Sequence, residues 1–167
     1  MMFGLRSCIS SQRKAFALAL TIALGTSSAQ AACPIELTTY GETSGALSLE
    51  FRPSAPGAVA NSFRLLIDGK PPLDGIVTWT TDVPRPHGMI LQDCPEGDAT
   101  GEEIAACTLW QGVIYAAADD GSAGLLPRPG EAAPASLILP DLAYQLAARD
   151  LAGADTQDIF TLEGCQE

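Results

Sequence analysis

One histidine, two lysines and ten aromatic residues are all that this 167-residue chain carries of three residue classes on which function often rests. Each scarcity excludes something. With His87 the only imidazole, any Ser-His-Asp or Cys-His mechanism has to run through that residue. It lies in Pro84-Arg85-Pro86-His87-Gly88, which reads as a loop carrying an ordinary exposed imidazole. No Gly-x-Ser-x-Gly elbow is present; the serine of Gly121-Ser122-Ala123-Gly124 follows a strand and precedes no evident helix. No Cys-x-x-Cys pair or interleaved histidine marks a zinc site. No apolar run approaches the roughly 18 residues of a membrane span, and no internal repeat or low-complexity segment is present.

Positive charge is also scarce, and its placement is telling. Three of the nine basic residues (Arg6, Arg13 and Lys14) fall in the first 31 positions, which hold no acid. An apolar stretch, Ala15 to Leu24, follows them, and then the small-residue sequence Ala29-Gln30-Ala31. This is the charged, apolar and small-residue order of a cleavable export signal. We therefore expect a signal peptide over 1–31 and one exported domain over 32–167. Lipidation at Cys33 would want an aliphatic residue three positions earlier, where Gln30 stands; Arg13-Lys14-Ala15-Phe16 misses a twin-arginine signal by one lysine. The alanine-rich composition points to a bacterial periplasmic or secreted protein.

After residue 31, six basic residues (Arg52, Arg64, Lys70, Arg85, Arg128 and Arg149) face twenty acidic ones, a formal net charge of −14. Such a field repels phosphate backbones and anionic lipid. Nucleic-acid binding and stable membrane association after cleavage are therefore not expected. The charge serves solubility, or it attracts a cationic partner.

Cleavage after Ala31 removes Cys8 and leaves four cysteines, an even number suited to an oxidising compartment. Of the three possible connectivities we favour Cys94–Cys107, which closes a short loop, with Cys33–Cys165, which ties the ends of the mature chain.

The hydrophobic pattern has mostly period two, the mark of strands with one buried face. It runs through Ile35 and Leu37, Leu47 to Phe51, Phe63 to Ile67, Ile76 to Thr81, Met89 to Gln92, Leu109 to Ala116, Ser136 to Leu139 and Ile159 to Glu163. Thr100-Gly101-Glu102-Glu103 matches a capping box before a short helix. Asp141 is positioned to cap a longer one from Leu142 to about Leu151, ended by Gly153. The expected fold is mainly β, a single antiparallel sandwich or barrel-like domain with a short C-terminal helix and two disulfides.

Candidate sites are few. His87-Gly88-Met89 offers an imidazole and a thioether to copper, but Met89 is the only methionine of the mature chain, so further soft ligands are lacking. The carboxylates of Asp93 to Glu103 could attract calcium but lack EF-hand spacing. No cofactor and no committed metal set is expected. Trp79 and Trp110, with Tyr40, Tyr115 and Tyr144, would fill a core or form a recognition platform. With twenty acids, choosing a catalytic carboxylate pair would be arbitrary. The functional expectation is a non-catalytic exported binding or structural module. Its partner is a protein or small ligand, a cationic one if the charge serves recognition. The alternatives are an acidic inhibitor of a cationic hydrolase or protease, and a weak copper or calcium binder.

Overall fold

The computed structural model describes residues 33–55 and 57–166. The expected export signal over 1–31, with Cys8, lies outside them. Ten strands occur in the described chain: β1 (Thr38–Glu42), β2 (Leu47–Arg52), β3 (Val59–Ile67), β4 (Leu73–Trp79), β5 (Pro86–Leu91), β6 (Thr108–Val113), β7 (Tyr115–Ala117), β8 (Ala123–Leu125), β9 (Ser136–Ile138) and β10 (Ile159–Cys165). Two α-helices join them, α1 (Gly101–Cys107) and α2 (Leu142–Ala147). All strands belong to one sheet, in the order β6-β5-β4-β3-β2-β1-β10-β9-β7-β8, and every pairing is antiparallel. The choice between sandwich and barrel is settled by that order. β6 stands at one end and β7 almost at the other, yet only Ile114 separates them in the chain. The stretch expected as one strand, Leu109 to Ala116, is a single run broken at Ile114. Its first half pairs with β5 and its second half with β9. The sheet thus nearly closes into a barrel in which neighbours in sequence are neighbours in space. At the break, the Ile114 N–H donates to the Pro86 carbonyl at 3.2 Å and its carbonyl accepts from Leu126 N at 3.1 Å.

Side chains fill the interior of this barrel. Alternation supplies them: Leu47, Leu49 and Phe51 from β2, Phe63, Leu65 and Ile67 from β3, with Ile90, Trp110, Leu137 and Phe160 from further round, are all buried. Three rings cross adjacent strands, Tyr40 edge-on to Phe51 at 6.0 Å and Phe51 tilted against Phe63 at 5.4 Å. The band ends over Gly75, the cross-strand partner of Phe63. A Cβ there would lie 2.3 Å from the Phe63 ring, so only glycine admits the ring. Gly88 does the same for Ile114 and the Trp110 ring, with contacts of 2.7 and 3.0 Å to a hypothetical Cβ.

Both favoured disulfides are present. Cys33–Cys165 joins the start of the described chain to the end of β10, and Cys94–Cys107 joins the loop after β5 to the end of α1, with Cα separations of 5.8 and 5.2 Å. They suit an oxidising environment outside the cytoplasm. No helix among the described residues is long and apolar enough to cross a membrane.

Several local expectations need correction. Ile35–Leu37 is a 3₁₀ turn, not a strand: Leu37 N–H donates to the Pro34 carbonyl and Thr38 Oγ1 to the Ile35 carbonyl. The stretch from Tyr40 to Gly45, whose Gly-Glu-Thr-Ser-Gly composition reads as a connection between the first two strands, is partly strand, because β1 runs on to Glu42, which pairs with Phe160. His87 lies within β5, paired with Thr78 and Val113, not in a loop. β8, a short strand directly after the Asp119-Asp120-Gly121 turn, is not signalled by its small residues.

Helix α2 ends at Ala147, short of Leu151, and Asp141 does not cap it through its side chain; its backbone is left-handed (φ 64°). The cap comes from far away. Asp158 accepts from Asp141 N through Oδ2 and from Ala143 N through Oδ1, both at 2.8 Å. The two substitutions should therefore separate in urea denaturation. Asp158→Ala should cost about 0.5–2 kcal/mol, the usual worth of a cap, whereas Asp141→Gly should be neutral or stabilising because glycine adopts positive φ without strain. Equal losses from both would contradict this assignment.

Candidate functional site

The residues singled out by sequence scatter over the barrel. His87 and Met89 share the outer face of β5, both half-buried, but no group of three or more His, Cys, Asp or Glu able to hold a metal occurs among the described residues. The acidic stretch before and within α1 has a structural use. Thr100 Oγ1 accepts from Glu103 N at 3.3 Å, and Glu103 Oε2 accepts from Thr100 N and Thr100 Oγ1, both at 2.8 Å. This is the capping box that the sequence signals.

The two tryptophans have different fates. Trp110 is core: 1% exposed, with Nε1 donating to the Pro140 carbonyl at 2.8 Å. That bond ties β6 to the segment leading into α2, whose Leu142 and Leu146 are buried. Trp79 ends β4, and the Arg128 guanidinium lies 4.0 Å above its ring. Tyr40 is also core, its hydroxyl donating to the Pro134 carbonyl at 2.9 Å; burial raises its pKa well above the usual phenol value. Tyr144 is 77% exposed on α2.

Glu42 is the one buried carboxylate among the described residues, and its oxygens are used within the fold. Oε2 accepts from the Ser44 N–H and hydroxyl at the β1–β2 turn, and Oε1 accepts from Gln157 N at 3.1 Å. It closes a turn and pins the segment before β10.

Two places remain where the molecule presents unused chemistry. One is the outer face of β8, β7, β9 and β10. Register places Leu125 beside Tyr115, Tyr115 beside Ile138 and Ile138 beside Ile159. Four apolar side chains thus form a row across four strands, about 14 Å long at the usual strand spacing. Ile159 is 44% exposed, Tyr115 37% and Leu125 36%. The adjacent row is small and flat: Ala123, Ala117, Ser136 and Thr161. None of these strands carries a basic residue, while Asp119 and Asp120 stand exposed at the β7–β8 turn and Glu163 on β10. The far side of the barrel is different. There Glu50, Arg64 and Asp74 are cross-strand neighbours, with Arg52 3.4 Å from Glu50 and Arg64 3.6 Å from Asp74. Sequence reasoning points to Tyr115 alone of the apolar row; the others become its neighbours only through register.

The second place is one end of the barrel, where Ser54 Oγ, both amide atoms of Asn61 and Trp79 Nε1 are buried without a hydrogen-bond partner. Leaving such a group unsatisfied costs about 1–3 kcal/mol. Sequence reasoning misses Asn61, although it holds an inward position in the alternation Val59, Asn61, Phe63, Leu65, Ile67, where an apolar residue is the rule.

No protein-family model, no curated protein and no solved structure matches this chain.

Two exposed acids are held in their charged form, Glu103 mainly by the backbone N–H of Thr100 and Asp120 mainly by the Ser122 hydroxyl. Both pKa values lie below the ordinary carboxylate range, so the unfolded chain binds these protons more readily. Their contribution to stability is complete above that range and is lost as pH falls through the lowered folded values. Thr100→Ala removes the hydroxyl and keeps the backbone N–H, so it should move the Glu103 carboxyl titration, followed by carbon NMR, only part of the way back towards the ordinary range, with Asp120 unmoved. An unchanged Glu103 midpoint would refute the hydroxyl's share in holding the charge.

Proposed function

We propose that this protein is an exported, non-catalytic binding module of the bacterial periplasm or secretome, delivered by a signal peptide over 1–31. Its partner is a protein with a basic surface, met on the outer face of β8, β7, β9 and β10. The observation that carries the reading is the row Leu125–Tyr115–Ile138–Ile159, an aligned apolar strip on a face without a basic side chain and edged by Asp119, Asp120 and Glu163. Apolar anchors with a charged rim are how protein interfaces combine affinity with steering. A net charge of −14 beyond the signal adds long-range attraction to a basic partner. The non-catalytic part of the reading is supported by where the perturbed acids and phenol lie. Tyr40 is packed in the core, Glu103 caps α1 and Asp120 serves the β7–β8 turn. None of the three faces another across a cleft.

A narrower form of the same reading is an inhibitor of a cationic hydrolase or protease. It is favoured by the β7–β8 hairpin, whose exposed tip carries Asp119 and Asp120 and whose base pairs Tyr115 with Leu125.

The test is capture of basic proteins from the native exported fraction on the oxidised chain, with identification by mass spectrometry, in parallel with a Tyr115→Lys/Ile159→Lys double variant. Both substitutions are on exposed side chains and should leave the melting temperature nearly unchanged. A basic protein held by the natural chain, released by moderate salt as screening shortens the reach of its charges, and not held by the variant is the expected result. Identical retention by both chains would remove the outer face from consideration.

A further inference from the structure

The end of the barrel away from Asn61 holds a cavity of about 400 Å³. The β3–β4 connection, the exit of β5 and the chain just after α2 meet around it. Ile67, Leu73, Leu91 and Leu151 give it an apolar lining. Lys70, Asp74 and Asp93 give it charge. Lys70 is the only lysine after residue 31, in a stretch that carries twenty acids. It nevertheless makes no ion pair: the two among the described residues are Arg52–Glu50 and Arg64–Asp74. Asp93 is unpaired as well, whereas Asp74 has Arg64 at 3.6 Å. One ammonium and one carboxylate thus line the same cavity, further apart than the roughly 4 Å of an ion pair. Both stand on pinned backbone. The Lys70 N–H closes a turn onto the Ile67 carbonyl at 3.0 Å, and Pro71 and Pro72 stiffen the chain after it. Asp93 lies between two ties to the end of α1. Gln92 N donates to the Cys107 carbonyl at 2.9 Å, and Cys94 is disulfide-bonded to Cys107. Leu151 N donates to the Leu146 carbonyl at 3.0 Å. A pre-formed apolar lining with a few placed polar groups is the usual build of a small-molecule site.

We propose that this cavity binds a free α-amino acid with an apolar side chain, its carboxylate on Lys70, its ammonium on Asp93 and its side chain against the apolar lining. The chemistry follows from the groups present. Lys70 offers three donors and Asp93 only acceptors. A plain anion would use Lys70 but would meet Asp74, Asp93 and the net charge of −14 beyond residue 31. A plain amine would use Asp93 and be repelled by Lys70. An uncharged apolar molecule would cover both charges and pair neither. An α-amino acid carries both charges on one carbon and is neutral as a whole, so it bridges Lys70 and Asp93 without opposing the field of the protein. The cavity volume falls at the small end of the usual range for ligand sites, about 300–1,000 Å³, which suits a single amino acid better than a peptide. This site lies apart from the apolar outer face and does not depend on it.

The experiment is nitrogen-edited NMR of the purified, oxidised protein titrated with L-leucine and L-phenylalanine. Beside them run the two halves of leucine: isocaproate, which lacks the amine, and isoamylamine, which lacks the carboxylate. At least one of the amino acids should shift the backbone amides of Lys70, Asp93 and Leu151 saturably, with a dissociation constant of about millimolar order. Each half should bind about tenfold more weakly. The variants Lys70→Gln and Asp93→Asn change exposed side chains, and asparagine tolerates the left-handed backbone of Asp93 (φ 52°), so the melting temperature should hardly move. Lys70→Gln should weaken the amino acid and isocaproate about tenfold and spare isoamylamine. Asp93→Asn should weaken the amino acid and isoamylamine and spare isocaproate. No saturable shift with either amino acid overturns the proposal. So does undiminished binding by the two variants. Binding of one half as tightly as the whole would overturn it too, and would assign the cavity to a simple carboxylate or a simple amine instead.

Discussion

Closure of the sheet rests on one short run of chain. Residues Thr108 to Ala117 serve two neighbours in succession, β5 and then β9, and the change happens at Ile114. Had the run stayed on β5 throughout, the sheet would have two long open edges. Exposed edges invite pairing with other chains, and near-closure leaves only β6 and the three-residue β8 as end strands. The change of partner also explains α2. Beyond Ile138, the chain that would continue β9 alongside β6 becomes Pro140 and then the helix. Proline cannot extend a ladder from its nitrogen, and its carbonyl instead receives the Trp110 indole. The remaining gap is filled by side chains, with Leu142 and Leu146 buried in the same core as Trp110.

Everything inside the barrel follows from how little room closure leaves. Rings occupy the space, and glycines at 75 and 88 yield it to them. The core therefore packs as a chain of specific fits, Tyr40 to Phe51 to Phe63 to Gly75, and not as interchangeable aliphatic filling. Such an interior is filled by side chains contributed from all round the sheet. The Cys33–Cys165 bridge adds to closure in its own way: it fixes the chain just before β1 to the end of β10, two strands that pair with each other at the seam between first and last.

What is legible in the sequence is what depends on local order. Alternation marks β2, β3 and β10 because each has one wet and one dry face. The capping box at Thr100 is readable because both partners lie three residues apart. The cysteine pairing is readable from parity and position. What escapes depends on residues distant in sequence. Asp158 caps α2 from 17 residues away, so the nearer Asp141 has the look of the cap. Ile35 and Leu37 have strand spacing, but Pro34 and the Thr38 hydroxyl bend that segment into a turn. The break at Ile114 leaves no mark, since a single isoleucine among apolar residues reads as strand. Of the candidate sites, Asn61 is detectable as a polar residue at an inward position, and Trp79 is a candidate whose unpartnered indole only the structure reveals. The row on the outer face cannot be read at all, because its members lie far apart in the chain and meet only through register.

Native-state hydrogen exchange across the run Thr108–Ala117 tests the closure most directly. If one barrel is closed by this run, the slowest amides of β6, β7 and β9 should open with β2 and β3 in a single cooperative unit, with the same dependence on denaturant. Exchange of β7, β8 and β9 at much lower free energy, while β2 to β6 stay protected, would mean an open sheet with a detachable flap, and the account built on closure would fail.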